Sequence, residues 1–189
     1  IDRLGPFDLD PCQSLTQPWP CAKKGYTIKD DGLKQKWGKT SRVWCNSPYG
    51  PEAGPFLDRM AKQRSGISLI FARTETKMFQ DSVWQHAHSI LFLLGRLHFH
   101  YPDIVDPVIC KRDSEHVWEP RPESPKTQWC TRCGRAKGNS GGPSILISYS
   151  EYDTQRLRDS GFPGALVTSW DMTDKVLPKL NPRRIKDAQ

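Results

Sequence analysis

The sequence predicts an α/β domain with a parallel sheet, interrupted late in the chain by a short metal-ordered insert. Three observations predict it. Apolar runs of strand length alternate with amphipathic helical stretches over residues 1–100. Residues 101–142 are polar, rich in Pro and charge, and hold three of the six cysteines. Strand-like sequence then resumes at 144. This divides the chain into a core of 1–100 and 143–175, the insert 101–142, and a basic tail 176–189.

The elements follow in order. "FDLD" (7–10) is a brief strand and "SRVWCN" (41–46) a second. "PFLDRMAKQRS" sets Phe56, Leu57 and Met60 on one helical face with charges opposite. "ISLIFA" (67–72) is apolar and β-branched, as a buried parallel strand is. "TKMFQDSVWQHA" reads as another amphipathic helix, followed by the strand "SILFLLG". Beyond the insert come the strand "SILISYS" (144–150), a short helix "DTQRLRDS" and the strand "GALVTSW" (164–170).

At 189 residues this is one domain with a small appended module, long enough to bury a core despite 36% apolar residues. The longest apolar run, "ILFLLG", falls far short of the roughly 20 residues that span a bilayer, which argues against a membrane protein. No signal peptide is read at the start, which is Ile1 rather than Met, consistent with a fragment. A formal net charge of +7 suits a polyanionic partner.

Without a secretory signal, clustered cysteines argue for metal rather than disulfides. Cys110, His116, Cys130 and Cys133 have the spacing C-x5-H-x13-C-x2-C, two ligand pairs separated by a loop. Zinc takes four N/S ligands in a tetrahedron, and four protein ligands close the sphere, so the expected ion is structural Zn2+. Free thiols or a redox pair are the alternatives for Cys130 and Cys133, and Asp113 or a water is an alternative to His116. A long irregular connection needs something to order it, and a metal does so. The insert also carries Lys111, Arg112, Arg121, Lys126, Arg132, Arg135 and Lys137, suited either to phosphate contacts or to a solvated surface.

The stretch "VWCNSPYG" (43–50) ends an apolar strand in an amide, a hydroxyl, a proline and an aromatic ring. It reads either as a turn or as a polar clamp with a stacking platform for a planar base. Taken in order, "FDLDPC", "DGL…W", "NSPYG", "ARTETKMF", "GRLHF" and "PSILISYS" resemble the phage-type DNA N6-adenine methyltransferases, the Dam-like family, over residues 4–100 and 143–150. The resemblance does not extend to the Cys/His insert.

It implies a Rossmann-like fold using S-adenosylmethionine, acting on double-stranded DNA in the cytoplasm of a bacterial host, if phage or prophage encoded. The family's Asp/Asn-Pro-Pro-Tyr motif is matched by Asn46, Ser47, Pro48 and Tyr49, with Ser47 where proline is usual. Proline would fix φ there, but Ser47 still offers a backbone carbonyl. By this resemblance Asn46 and Ser47 hold the amino group of the base, and Tyr49 stacks on the base once it leaves the duplex. Asp10, Pro11 and Cys12 would border the cofactor, and Asp31 would contact its adenosine. Arg73 and Arg96 match positions near the active-site rim, as DNA-phosphate contacts or as loop anchors. Arg132 and Arg135 are the insert's DNA-binding candidates. Cytosine N4 suits the same clamp, and an inactive zinc-containing nucleic-acid-binding protein is the reading from another class.

Overall fold

The computed structural model describes residues 1–15, 20–97, 110, 113–121, 124–137 and 141–172. Its strands are β1 (Leu9–Asp10), β2 (Lys24–Gly25), β3 (Val43–Cys45), β4 (Gly66–Phe71), β5 (Ser89–Leu93), β6 (Trp118–Arg121), β7 (Ser124–Cys130), β8 (Ser144–Ser148) and β9 (Gly164–Val167). The α-helices are α1 (Ala53–Gln63) and α2 (Glu151–Asp159). Seven strands form one sheet in the order β2-β1-β3-β4-β8-β5-β9, and β6 pairs with β7 in a separate hairpin.

The sheet is mixed rather than parallel. β2, β1, β3 and β4 run parallel, but β8 enters between β4 and β5 antiparallel to both, and β9 lies antiparallel on β5. All five residues of β8 are buried, so its apolar character reports burial on both faces and carries no information about direction.

Alternate strand residues feed two cores. Val43, Cys45, Ile70, Ile90, Ile145 and Ile147 meet Phe56, Leu57 and Met60 of α1 on one face. Trp44, Ile67, Leu69, Leu91 and Leu146 meet Leu4, Phe7 and Leu157 of α2 on the other. α2 starts two residues before the expected "DTQRLRDS" because Ser150 caps it, its Oγ accepting from the Asp153 amide at 3.1 Å. Asp153 is fully buried, accepting from Arg42 Nε at 2.7 Å and from the Gly66 amide at 2.7 Å. This fixes α2 to the strands that carry the front of the sheet; losing one partner would strand a buried charge.

The helix expected over "TKMFQDSVWQHA" is a π-helical turn at Phe79–Trp84. Phe79, Ser82 and Val83 are buried there, and Ser82 Oγ donates to Asp58 of α1 at 2.6 Å. The insert, read from sequence as irregular, contains the β6–β7 hairpin, with Trp118 opposite Cys130. The tail 176–189 lies outside the described residues, as do Lys111 and Arg112. Among the described residues no helix is long and apolar enough to cross a membrane.

Candidate functional site

From β1 the chain steps to β2 on one side and then to β3 on the other, so the sheet reverses its strand order between β1 and β3. In an open α/β sheet, ligands bind at the carboxyl ends of the strands beside such a reversal. Two candidate segments leave the sheet there. Asp10 ends β1 and leads into Pro11-Cys12, and Asn46-Ser47-Pro48-Tyr49 follows β3. Leu9 pairs with Val43, and the sulfur atoms of Cys12 and Cys45 lie 4.0 Å apart, which brings the segments side by side.

Asp10 is 3% exposed and makes no ion pair among the described residues. Burial pushes its carboxyl up to about 6, opposed by the Cys12 amide, which donates to Oδ1 at 2.9 Å. A buried carboxylate without a cation is costly and retains acceptor capacity.

The loop with Asp31 is packed against this turn through its neighbour Gly32. A Cβ at Gly32 would stand 2.0 Å from the Pro11 carbonyl oxygen, so only glycine allows the approach. The Gly32 carbonyl accepts from Trp37 Nε1 at 2.8 Å and from Arg59 at 3.3 Å. Arg59 also donates to the carbonyls of Leu33 and Gln35 and lies over the Trp37 ring. Asp31 itself pairs with Lys34 at 2.9 Å, which holds its carboxyl below the usual range.

Asn46 Oδ1 and Ser47 Oγ are buried acceptors with no hydrogen-bond partner among the described residues. Such atoms are uncommon, because each forfeits its solvation, and each leaves an acceptor open to an incoming donor. Pro48 is exposed. Tyr49 is 39% exposed and stacks on Phe71 at the end of β4, with ring centroids 4.2 Å apart and planes 15° from parallel. Burial raises the Tyr49 hydroxyl well above its usual range. Arg73 and Arg96 are exposed, just beyond β4 and β5. Phe71 and Arg59 were not singled out from sequence: one lies within an apolar run, the other is an ordinary helix charge. The signal available was position: Arg59 on the helix after the clamp, and Phe71 at the end of the strand beside it.

In the insert, the ligating atoms of Cys110, His116, Cys130 and Cys133 all lie within 4.8 Å of one another, a group that could hold a metal ion. Cys110 Sγ is 3.9 Å from Cys130 Sγ, and Cys133 Sγ is 3.4 Å from His116 Nδ1. Burial raises the Cys130 thiol, but the Cys133 amide, His116 and the Arg132 and Val117 amides outweigh it and hold it down at about 6. Burial, with the neighbouring thiols of Cys133 and Cys130, pushes Cys110 up to about 11. The knuckle closes where the Gly134 amide donates to the Cys130 carbonyl at 2.9 Å, with Gly134 at φ 74°. Arg132 donates to the Glu115 carbonyl at 2.9 Å and so ties the two ligand arms, and Arg135 lies partly buried just after the knuckle.

No curated protein and no solved structure matches the chain. The family model described as DNA N-6-adenine-methyltransferase (Dam) matches residues 2–121, which takes in Asp10, Asp31, the Asn46–Tyr49 segment, Arg73, Arg96 and the first two Cys/His ligands. With the model covering well over half of its length, the chain belongs to the DNA N-6-adenine-methyltransferase (Dam) family.

Proposed function

We propose that this chain transfers a methyl group from S-adenosylmethionine to the N6 amino group of adenine in double-stranded DNA. The observation that carries the reading is the buried Asn46 Oδ1 at the carboxyl end of β3, which has no hydrogen-bond partner among the described residues. The adenine amino group is a poor nucleophile because its lone pair is delocalised into the ring. Asn46 Oδ1 and the Ser47 carbonyl accept its two hydrogens, which favours a pyramidal nitrogen and frees the lone pair. Catalysis is then positioning plus fixed dipoles aimed at the charge that develops on nitrogen. Tyr49 receives the face of the extruded base.

The cofactor site falls to Asp10, Pro11, Cys12 and Asp31. Their fit is supported by the carboxylate of Asp10, buried with no ion pair among the described residues, and by the Gly32 loop that closes on Pro11. Bound S-adenosylmethionine supplies an electrophilic methyl group. Asp10 accepts hydrogen bonds from the cofactor, and the β1 and β3 ends hold donor and acceptor on one edge.

The Cys/His group is read as a structural zinc site. A tetrahedral ion with Zn–S of about 2.3 Å separates two thiolates by about 3.8 Å, and Cys110 and Cys130 stand 3.9 Å apart. Residues 101–142 are then a metal-stapled module between two parts of a Rossmann-like core, with Arg73, Arg96, Arg132 and Arg135 facing DNA phosphates. The setting inferred is the cytoplasm of a phage-bearing or prophage-bearing bacterium.

The test is incubation of unmethylated DNA with labelled S-adenosylmethionine, followed by digestion to nucleosides and mass spectrometry. N6-methyladenine is the expected product. N4-methylcytosine would move the reaction to the other base, and no methylated nucleoside would remove it.

A further inference from the structure

Phe71 was not assigned a part in the reaction, yet it holds the ring on which the proposed chemistry depends. It is the last residue of β4, three positions beyond Ser68, which pairs with Cys45 at the end of β3. The strand therefore carries Phe71 past the end of β3 to the level of Tyr49, where the two rings stack at 4.2 Å and 15°. The ring is held in turn by the chain returning from the insert. Phe71 pairs with Ser144, the Ala72 amide donates to the Pro143 carbonyl at 2.8 Å, and Gly142 lies so close that a Cβ there would be 3.5 Å from Phe71 Cγ.

A tyrosine on a strand-end loop has two free side-chain torsions, and fixing them at the moment of binding weakens binding. A parallel ring at this spacing removes that freedom in advance, and its flat face selects one plane for Tyr49 where an aliphatic side chain would select none. We propose that Phe71 is a positioning residue for the methyl acceptor: it fixes the plane of Tyr49 on which the extruded base stacks. The inference rests on the methyltransferase reading and deepens it.

Steady-state transfer of labelled methyl groups to unmethylated duplex DNA tests it, with S-adenosylmethionine affinity and melting temperature measured on the same preparations. Phe71→Leu, which keeps apolar bulk but loses the flat face, raises the KM for DNA about tenfold, the cost of immobilising one side chain on binding. Its S-adenosylmethionine Kd is unchanged, and Phe71→Tyr restores the KM. In a Tyr49→Leu background Phe71→Leu adds no further loss, because the residue acts through Tyr49. Should Phe71→Leu fold poorly, Phe71→Met takes its place. An active wild type in which Phe71→Leu keeps the wild-type KM overturns this inference alone. So do losses that add fully in the double variant, or a parallel fall in S-adenosylmethionine affinity and melting temperature with no rescue by Phe71→Tyr. An inactive wild type overturns the methyltransferase reading together with it.

Discussion

Cys12 Sγ rests 4.0 Å from Cys45 Sγ, joining the turn after β1 to the last residue of β3. The contact with Cys45, then burial and the nearby charge of Asp10, keep the Cys12 thiol far above its usual range. It is thus a protonated, neutral spacer and a poor nucleophile. Asp10 and Asn46 stand on either side of this spacer in sequence, one at each strand end.

Asn46→Ala is expected to lower kcat about 10²–10³-fold, the usual loss for one acceptor or donor aimed at a transition state. Equilibrium binding of S-adenosylmethionine is expected to stay near wild type, because the proposed site gives Asn46 to the base and not to the cofactor. Turnover at the wild-type rate would show that the amide does not hold the amino group.

Asp10 supplies a pH prediction. Its carboxyl sits at about 6 folded against 3.8 unfolded, so between those values the folded state holds more protons and stability falls as pH rises. Above the folded value the buried charge costs no more than roughly 3 kcal/mol. Asp10→Asn should therefore be more stable than wild type at pH 7, with a flatter profile between pH 4 and 6, while binding S-adenosylmethionine less tightly. Urea unfolding at several pH values measures the first effect, and a variant with the wild-type slope would mean Asp10 is solvated.

Tyr49→Ala should weaken binding of extruded-base DNA by roughly 1–3 kcal/mol, the worth of one aromatic–base stack. Tyr49→Phe keeps the ring and should be nearly harmless. A severe loss in Tyr49→Phe, measured by DNA titration, would assign the role to the hydroxyl.

Purified reduced protein should contain one equivalent of zinc by elemental analysis. Cys130→Ser or Cys133→Ser should raise hydrogen exchange in the β6–β7 hairpin and leave the seven-stranded sheet protected, since a metal-ordered module couples its folding to its ligands. Protein with no metal, or sheet-wide exchange in either variant, is the contrary result.

Neutralising Arg132 and Arg135 with glutamine should weaken binding to matched and scrambled duplexes alike and flatten the salt slope by about one unit per lost phosphate contact. A relaxed sequence preference with little salt effect would instead indicate contacts to base edges. Because Arg132 also ties the ligand arms through the Glu115 carbonyl, metal content is measured on the same variant.

The sequence and the structure agree best where one physical demand dominates. β3, β4, β5 and β8 announce themselves because a strand covered on both faces needs an apolar run. The four Cys/His residues announce themselves because ligand type and spacing are chemically narrow, and their donor atoms do converge. β2 is two residues, Lys24–Gly25, paired to β1 through backbone alone, and no side-chain pattern encodes it. The direction of β8 was illegible for the same reason its burial was plain. In sequence Phe71 is one more apolar residue of a strand, because its partner, Tyr49, is reached only once β3 and β4 are aligned.

The place of β8 has a bearing on how the chain is made. β4 and β5 are separated in the finished sheet by a strand that follows them across the whole insert. A growing chain that has just released Leu93 holds two buried strands whose facing edges have no partner, the arrangement most prone to pairing with a neighbour. Closing the sheet means joining residues some eighty positions apart, as Ser68 and Ile147 are, and such distant pairings form slowly. An insert that folds on its own ligands shortens the free loop that must be closed. With the proposed ion bound at that stage, metal supply during synthesis would bear on how much of the chain closes its sheet before it meets a neighbour.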